Sequence, residues 1–78
     1  MNNKIKINLN TPEKIKKFVQ VVRGFVSDVN IMTNSKYLDA KSILGLFDLN
    51  LYNDTYVEII SDNTTEIRQF DAAMEEFR

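Results

Sequence analysis

The spacing of apolar residues changes from two to three-or-four near the start of the chain, and this change constrains the fold more than any other feature. Lys4 to Leu9 alternate between polar and apolar, the pattern of a strand with one buried face. The apolar side chains then recur at helical spacing from Ile15 to Phe25 or Val26. Between the two patterns, Thr11-Pro12 supplies a favoured N-cap and a favoured first helical residue. The chain therefore begins with a strand that leads directly into an amphipathic helix.

The rest of the chain alternates in the same way between short strands and helices. A β-branched run predicts a late strand, and a short apolar segment opened by a serine predicts a helix of one to two turns. The resulting order, β-α-β-β-α-β-α, predicts an α+β domain spanning residues 1–78, with a four-stranded sheet and its helices on one face. These later elements are strands at Val29–Thr33 and Lys36–Ala40 joined by a turn at Asn34-Ser35, a short helix at Lys41–Phe47 capped by Ser42, a strand at Thr55–Ile60, a turn and cap at Ser61–Thr64, and a final helix carrying Ile67, Phe70, Met74 and Phe77.

The composition excludes several classes of function. The chain has no cysteine and no histidine, so disulfides, thiolate sites and imidazole chemistry are absent. No carboxylate pair, positioned nucleophile or metal-binding loop is recognisable in the remaining residues. Ten basic and eleven acidic residues give a net charge of −1, which provides no electrostatic footprint for nucleic acid. We therefore expect a protein that is not an enzyme and that has no cofactor, no metal and no nucleic-acid partner.

The hydropathy of the chain bears on its location in the cell. Its apolar runs are shorter than a membrane helix requires, and the N-terminal Met-Asn-Asn-Lys has no apolar signal region. We expect a soluble cytoplasmic domain with no membrane partner.

The chain resembles HPr, the small phosphocarrier of the bacterial sugar phosphotransferase system (PTS), from about Phe18 to the final helix. The resemblance is carried by Phe18–Gln20, Phe25–Ile31 and Lys41–Leu49. The last of these contains Lys-Ser-Ile-x-Gly-x-x-x-Leu, the family's most recognisable pattern outside its active site. The resemblance implies an open-faced β-sandwich with four antiparallel strands.

The chain departs from the HPr pattern at the residues that do the family's chemistry. HPr carries its phosphoryl group on a histidine at the start of the first helix, with an arginine two residues later. Counting back from Gln20, these positions fall on Thr11 and Glu13. A phosphothreonine is a stable ester and not a high-energy phosphoramidate, and Glu13 would repel a phosphate that arginine would bind. The comparison therefore implies an HPr-like protein without phosphohistidine carrier activity, in which Thr11 is a helix cap.

Ser42 is the candidate regulatory site. In the family, the serine at this position is phosphorylated by a regulatory kinase in Gram-positive bacteria, and a phosphate at a helix N-terminus is electrostatically favourable. The catabolite-repression HPr lacks the histidine and keeps this serine. By resemblance, phosphorylation of Ser42 would switch a regulatory module whose partners are HPr kinase and a transcriptional regulator. The alternative is that Ser42 only caps its helix.

Three apolar residues of the predicted short helix form a candidate binding surface. Ile43, Leu44 and Phe47 cannot all point inward on so short a helix, and HPr docks its partners on the equivalent face. This surface supports a second hypothesis, an adaptor or decoy that binds an HPr partner without phosphorylation. Two further alternatives are that these side chains pack against the core and that the domain retains only the fold.

Overall fold

A computed structural model describes residues 4–33, 37–42 and 54–78 of the protein. Its four strands form one antiparallel sheet in the order β1-β4-β2-β3, which confirms the predicted α+β class. The described elements are β1 (Lys4–Ile7), α1 (Pro12–Arg23), β2 (Asp28–Met32), β3 (Tyr37–Asp39), β4 (Thr55–Ile60), α2 (Thr64–Met74) and a 3₁₀ turn at Glu75–Phe77.

One face of the sheet packs against the two helices, and the core lies between these layers. Two edge-to-face aromatic pairs join α1 and the loop after it to the C-terminal segment. The ring centroids of Phe18 and Phe77 lie 5.5 Å apart, as do those of Phe25 and Phe70. The predicted stripes are therefore confirmed in part: most of their residues are buried, Phe25 and Ile67 are half-buried against the core, and Phe77 lies in the 3₁₀ turn and not on α2. The buried residues are Ile5, Ile7, Leu9, Ile15, Phe18, Val19, Val22, Val29, Ile31, Ala40, Val57, Ile59, Phe70, Met74 and Phe77.

Polar side chains cap both described helices, α1 at the predicted Thr11 and α2 within the predicted turn and cap at Ser61–Thr64. Thr11 has the extended backbone of an N-cap residue, and its hydroxyl accepts a hydrogen bond from the Lys14 amide at 3.2 Å. Asn63 does the same for α2, where its side-chain oxygen accepts from the Glu66 amide at 3.0 Å. Each cap satisfies one of the amides that the first turn of a helix leaves without a partner.

The sequence leaves the last residue of the α1 stripe open between Phe25 and Val26, and the structure packs Phe25 and not Val26 against the core. Helix α1 ends at Arg23, and the amide of Gly24 donates to the Val21 carbonyl three residues back. This tighter turn carries the chain away from the helix axis, and the side chain of Val26 is 94% exposed. Phe25 remains half-buried and packs against the core.

Where the described residues allow the comparison, the strand boundaries differ from the predicted ones by one or two residues, except for β4, whose bounds are those predicted. Leu9 lies beyond the end of β1 but is still buried, because the amide of Asn8 donates to the Phe77 carbonyl and holds this segment against the C-terminus. The predicted turn at Asn34-Ser35 and most of the predicted short helix after Ser42 lie outside the described residues. Among the described residues, neither helix is long and apolar enough to span a membrane.

Candidate functional site

The N-terminus of α1 is the position at which the resemblance to HPr predicts a degenerate phosphorylation site. Thr11 is half-buried, and its hydroxyl accepts a hydrogen bond from the Lys14 amide, so this hydroxyl caps the helix. Glu13 lies in the first turn with its side chain exposed, where its negative charge complements the positive end of the helix dipole. A dianionic phosphate placed here would meet this carboxylate. The geometry therefore supports helix capping and disfavours phosphate binding.

The turn that leads to Ser42 forms a second, separate site. The amide of Ser42 donates to the Asp39 carbonyl at 3.1 Å, and the Asp39 carboxylate accepts from the Lys41 amide at 2.9 Å. Ala40 is fully buried, and its amide donates to the Val29 carbonyl at 2.9 Å. This buried anchor lies two residues before Ser42, whose own side chain is exposed. The serine is thus presented to solvent from a fixed backbone.

Two cationic side chains connect this turn to the end of α1. The Arg23 guanidinium donates to the Lys41 carbonyl at 3.3 Å. The Lys41 ammonium donates to the Phe25 carbonyl at 2.9 Å. Because α1 has 12 residues, about 18 Å of helix separates Thr11 from Arg23. The two candidate positions are therefore held by opposite ends of α1.

A surface groove with a volume of about 730 Å³ lies between the loop after α1 and the start of α2. The Glu66 carboxylate lines it and accepts hydrogen bonds from both the amide and the hydroxyl of Ser27. The hydrogen bonds from the side chains of Ser27 and Ser61 hold the pKa of Glu66 below its usual value. This carboxylate joins the loop after α1 to the start of α2, a structural contact that no pattern in the sequence predicts.

Comparison with known proteins identifies the family. The family model described as "PTS HPr component phosphorylation site" matches residues 13–78. The chain belongs to the HPr family. HPr itself is a phosphocarrier and not a classical enzyme, and membership of its family implies interaction with proteins of the PTS. The matched range begins at Glu13 and does not include Thr11.

Two solved structures show the same fold. The phosphocarrier protein HPr from Bacillus anthracis str. Ames is 19% identical, with a TM-score of 0.76 over 100% of this chain and 96% of its own. The HPr-C-His structure from Thermoanaerobacter tengcongensis is 24% identical, with a TM-score of 0.71 over 94% of this chain and 89% of its own. No curated protein sequence matches significantly. At these identities the likeness is one of fold.

The sequence predicts Ser42 and Thr11 as candidate positions but gives no sign of the contacts of Arg23 and Lys41. Both cations bind backbone carbonyl oxygens, which any residue supplies, so no residue pattern marks these contacts. The partners are also 18 and 16 residues apart in the chain. The candidate surface formed by Ile43, Leu44 and Phe47 lies outside the described residues and stays a prediction.

Proposed function

We propose that this HPr-family protein is a regulatory, protein-binding module of the PTS that does not carry phosphohistidine. The observation that carries the proposal is the start of α1. The chain contains no histidine, and the hydroxyl at the aligned position, on Thr11, is engaged in capping the helix. Glu13 adds a negative charge where the family has a phosphate-binding arginine.

In this proposal the phosphorylation site is Ser42. A kinase would transfer the γ-phosphoryl group of ATP to the Ser42 hydroxyl oxygen, with release of ADP and the hydroxyl proton. Support comes from the exposure of the Ser42 side chain and from the hydrogen bonds that fix the turn before it. The added charge would change the surface that includes Ile43, Leu44 and Phe47, the predicted docking residues for a transcriptional regulator.

The test is incubation with ATP and an HPr kinase from a Gram-positive bacterium, followed by mass spectrometry of the intact and digested protein. We expect the mass of one phosphoryl group on Ser42, and none on the Ser42→Ala variant. The exposed Thr65→Ala variant is the matched control and should be phosphorylated like the wild type. An unmodified wild-type protein, alongside a phosphorylated HPr control, would rule out Ser42 as a kinase target.

The second hypothesis, an adaptor that binds without phosphorylation, makes a different prediction for the same surface. Leu44→Asp should abolish binding to a PTS partner while Ser42→Ala leaves it intact. Equal loss of binding in both variants would count against the adaptor.

A further inference from the structure

One cationic side chain contacts the peptide bond that precedes Ser42, and a second one is directed away from it. The Arg23 guanidinium lies 3.3 Å from the Lys41 carbonyl oxygen, and that carbonyl is bonded to the Ser42 nitrogen. The Lys41 ammonium is directed back to the Phe25 carbonyl, 2.9 Å away. Of the two cations, Arg23 is therefore the one whose charged group already touches the backbone beside Ser42.

The chemistry of the guanidinium suits a phosphate on this serine. Arginine has five N–H donors, and the bond to the Lys41 carbonyl uses one of them. A phosphoserine offers three acceptor oxygens and a charge of about −1.5 to −2 near neutral pH. Arg23 and Ser42 are both exposed, so the phosphate and the guanidinium can meet without either charge leaving water. Bidentate contact between these two groups is favourable in geometry as well as in charge.

The other charges near the turn are unfavourable to a phosphate on Ser42, so the positive charge of Arg23 is important for binding it. The Asp39 carboxylate lies in the same turn, where it accepts the Lys41 amide, and it would repel a phosphate. The last carbonyls of α1 carry the negative end of the helix dipole and would do the same. Arg23 offsets both. Because the buried Ala40 fixes the turn, little further ordering is needed to bring the two groups together.

We propose that Arg23 is an intramolecular phosphate-binding residue, which pairs with the phosphate of Ser42 and fastens the turn to the end of α1. The inference rests on the proposed modification of Ser42 and extends it by naming the residue that binds the added group. Phosphorylation would then strengthen an existing contact between the turn and the helix, in addition to changing the surface charge.

The experiment places phosphoserine at position 42 by genetic encoding, so that its outcome does not depend on a kinase. Thermal unfolding and ³¹P NMR titration are compared for the wild type, Arg23→Ala, Arg23→Lys and the control Arg68→Ala, an exposed arginine on α2. Each phosphorylated protein is referred to its own unphosphorylated form, which subtracts the loss of the Arg23 bond to the Lys41 carbonyl.

We expect phosphorylation to raise Tm in the wild type and in Arg68→Ala, to raise it less in Arg23→Lys, and to lose this effect in Arg23→Ala. The pKa of the Ser42 phosphate should be lower in the wild type than in Arg23→Ala. The difference should correspond to an about threefold lower affinity of the phosphate for a proton. Added salt should reduce the difference. Equal Tm changes and equal phosphate pKa values in the wild type and Arg23→Ala would overturn the inference. A protein that shows the Arg23 effect but is not a kinase substrate would contradict the proposed function alone.

Discussion

Replacing Thr11 by alanine should lower the stability of the fold by an amount typical of a lost helix cap. The substitution removes the hydroxyl that accepts the Lys14 amide at 3.2 Å and leaves that amide to water. The loss of a Ser, Thr, Asn or Asp N-cap costs about 1 kcal/mol, within a range of roughly 0.5–2 kcal/mol. For a domain of this size, about 1 kcal/mol corresponds to a decrease in Tm of roughly 4–8 °C.

The assay is thermal unfolding followed by circular dichroism, together with urea unfolding at 25 °C. Thr11→Ser keeps an acceptor in the same place and should stay within about 0.5 kcal/mol of the wild type. Thr65→Ala replaces an exposed threonine in the first turn of α2 and should also stay within about 0.5 kcal/mol. If Thr11→Ala were as stable as these controls, the Thr11 hydroxyl would not stabilise α1, which would contradict its assignment as an N-cap.

Three further substitutions test the packing and the charges. Glu66→Gln should make the free energy of unfolding less dependent on acid pH. The pKa of Glu66 is lowered in the folded protein, so its carboxylate adds stability above about pH 4.5 that is lost as the pH falls through the folded pKa. The free energies of urea unfolding at pH 7 and pH 4 should therefore differ less in Glu66→Gln than in the wild type or the control Asp71→Asn. Phe77→Ala should cost about 3–5 kcal/mol, most of the stability of a small domain; a cooperative transition near the wild-type Tm would contradict the packing. Lys17→Ala, which breaks the exposed ion pair with Glu76 at 2.8 Å, should cost less than about 1 kcal/mol in urea, and a larger loss would contradict its exposed setting.

The features that depend on neighbouring residues could be predicted from the sequence. The cap at Thr11 follows from a favoured residue type directly before Pro12 and an amphipathic stripe. The bounds of β4 follow from a β-branched and aromatic run between turn-forming residues. The stripe also predicted Ile15 and Phe18 as core residues, because helical spacing fixes which side chains share a face.

Features that depend on distant parts of the chain could not be predicted in this way. Apolar spacing leaves the end of the α1 stripe open between Phe25 and Val26, and only the fold shows that Phe25 packs against Phe70 while Val26 is exposed. The bond from Ser27 to Glu66 joins residues 39 positions apart and unites two helical regions. The contact of Arg23 with a backbone carbonyl leaves no pattern in the sequence. These long-range polar contacts define the setting of Ser42 and the groove, and only the fold reveals them.

Incubation with Enzyme I, the PTS protein that passes a phosphoryl group to HPr, shows directly whether this protein is a phosphocarrier. The protein is incubated with phosphoenolpyruvate and Enzyme I, with the Bacillus anthracis phosphocarrier protein HPr as a positive control, and both are analysed by intact mass under conditions that preserve phosphohistidine. We expect no phosphoryl group on this protein, because it contains no histidine and because Thr11 caps α1 beside the carboxylate of Glu13. A phosphorylated protein that passes its phosphoryl group onward would contradict the proposed loss of carrier activity.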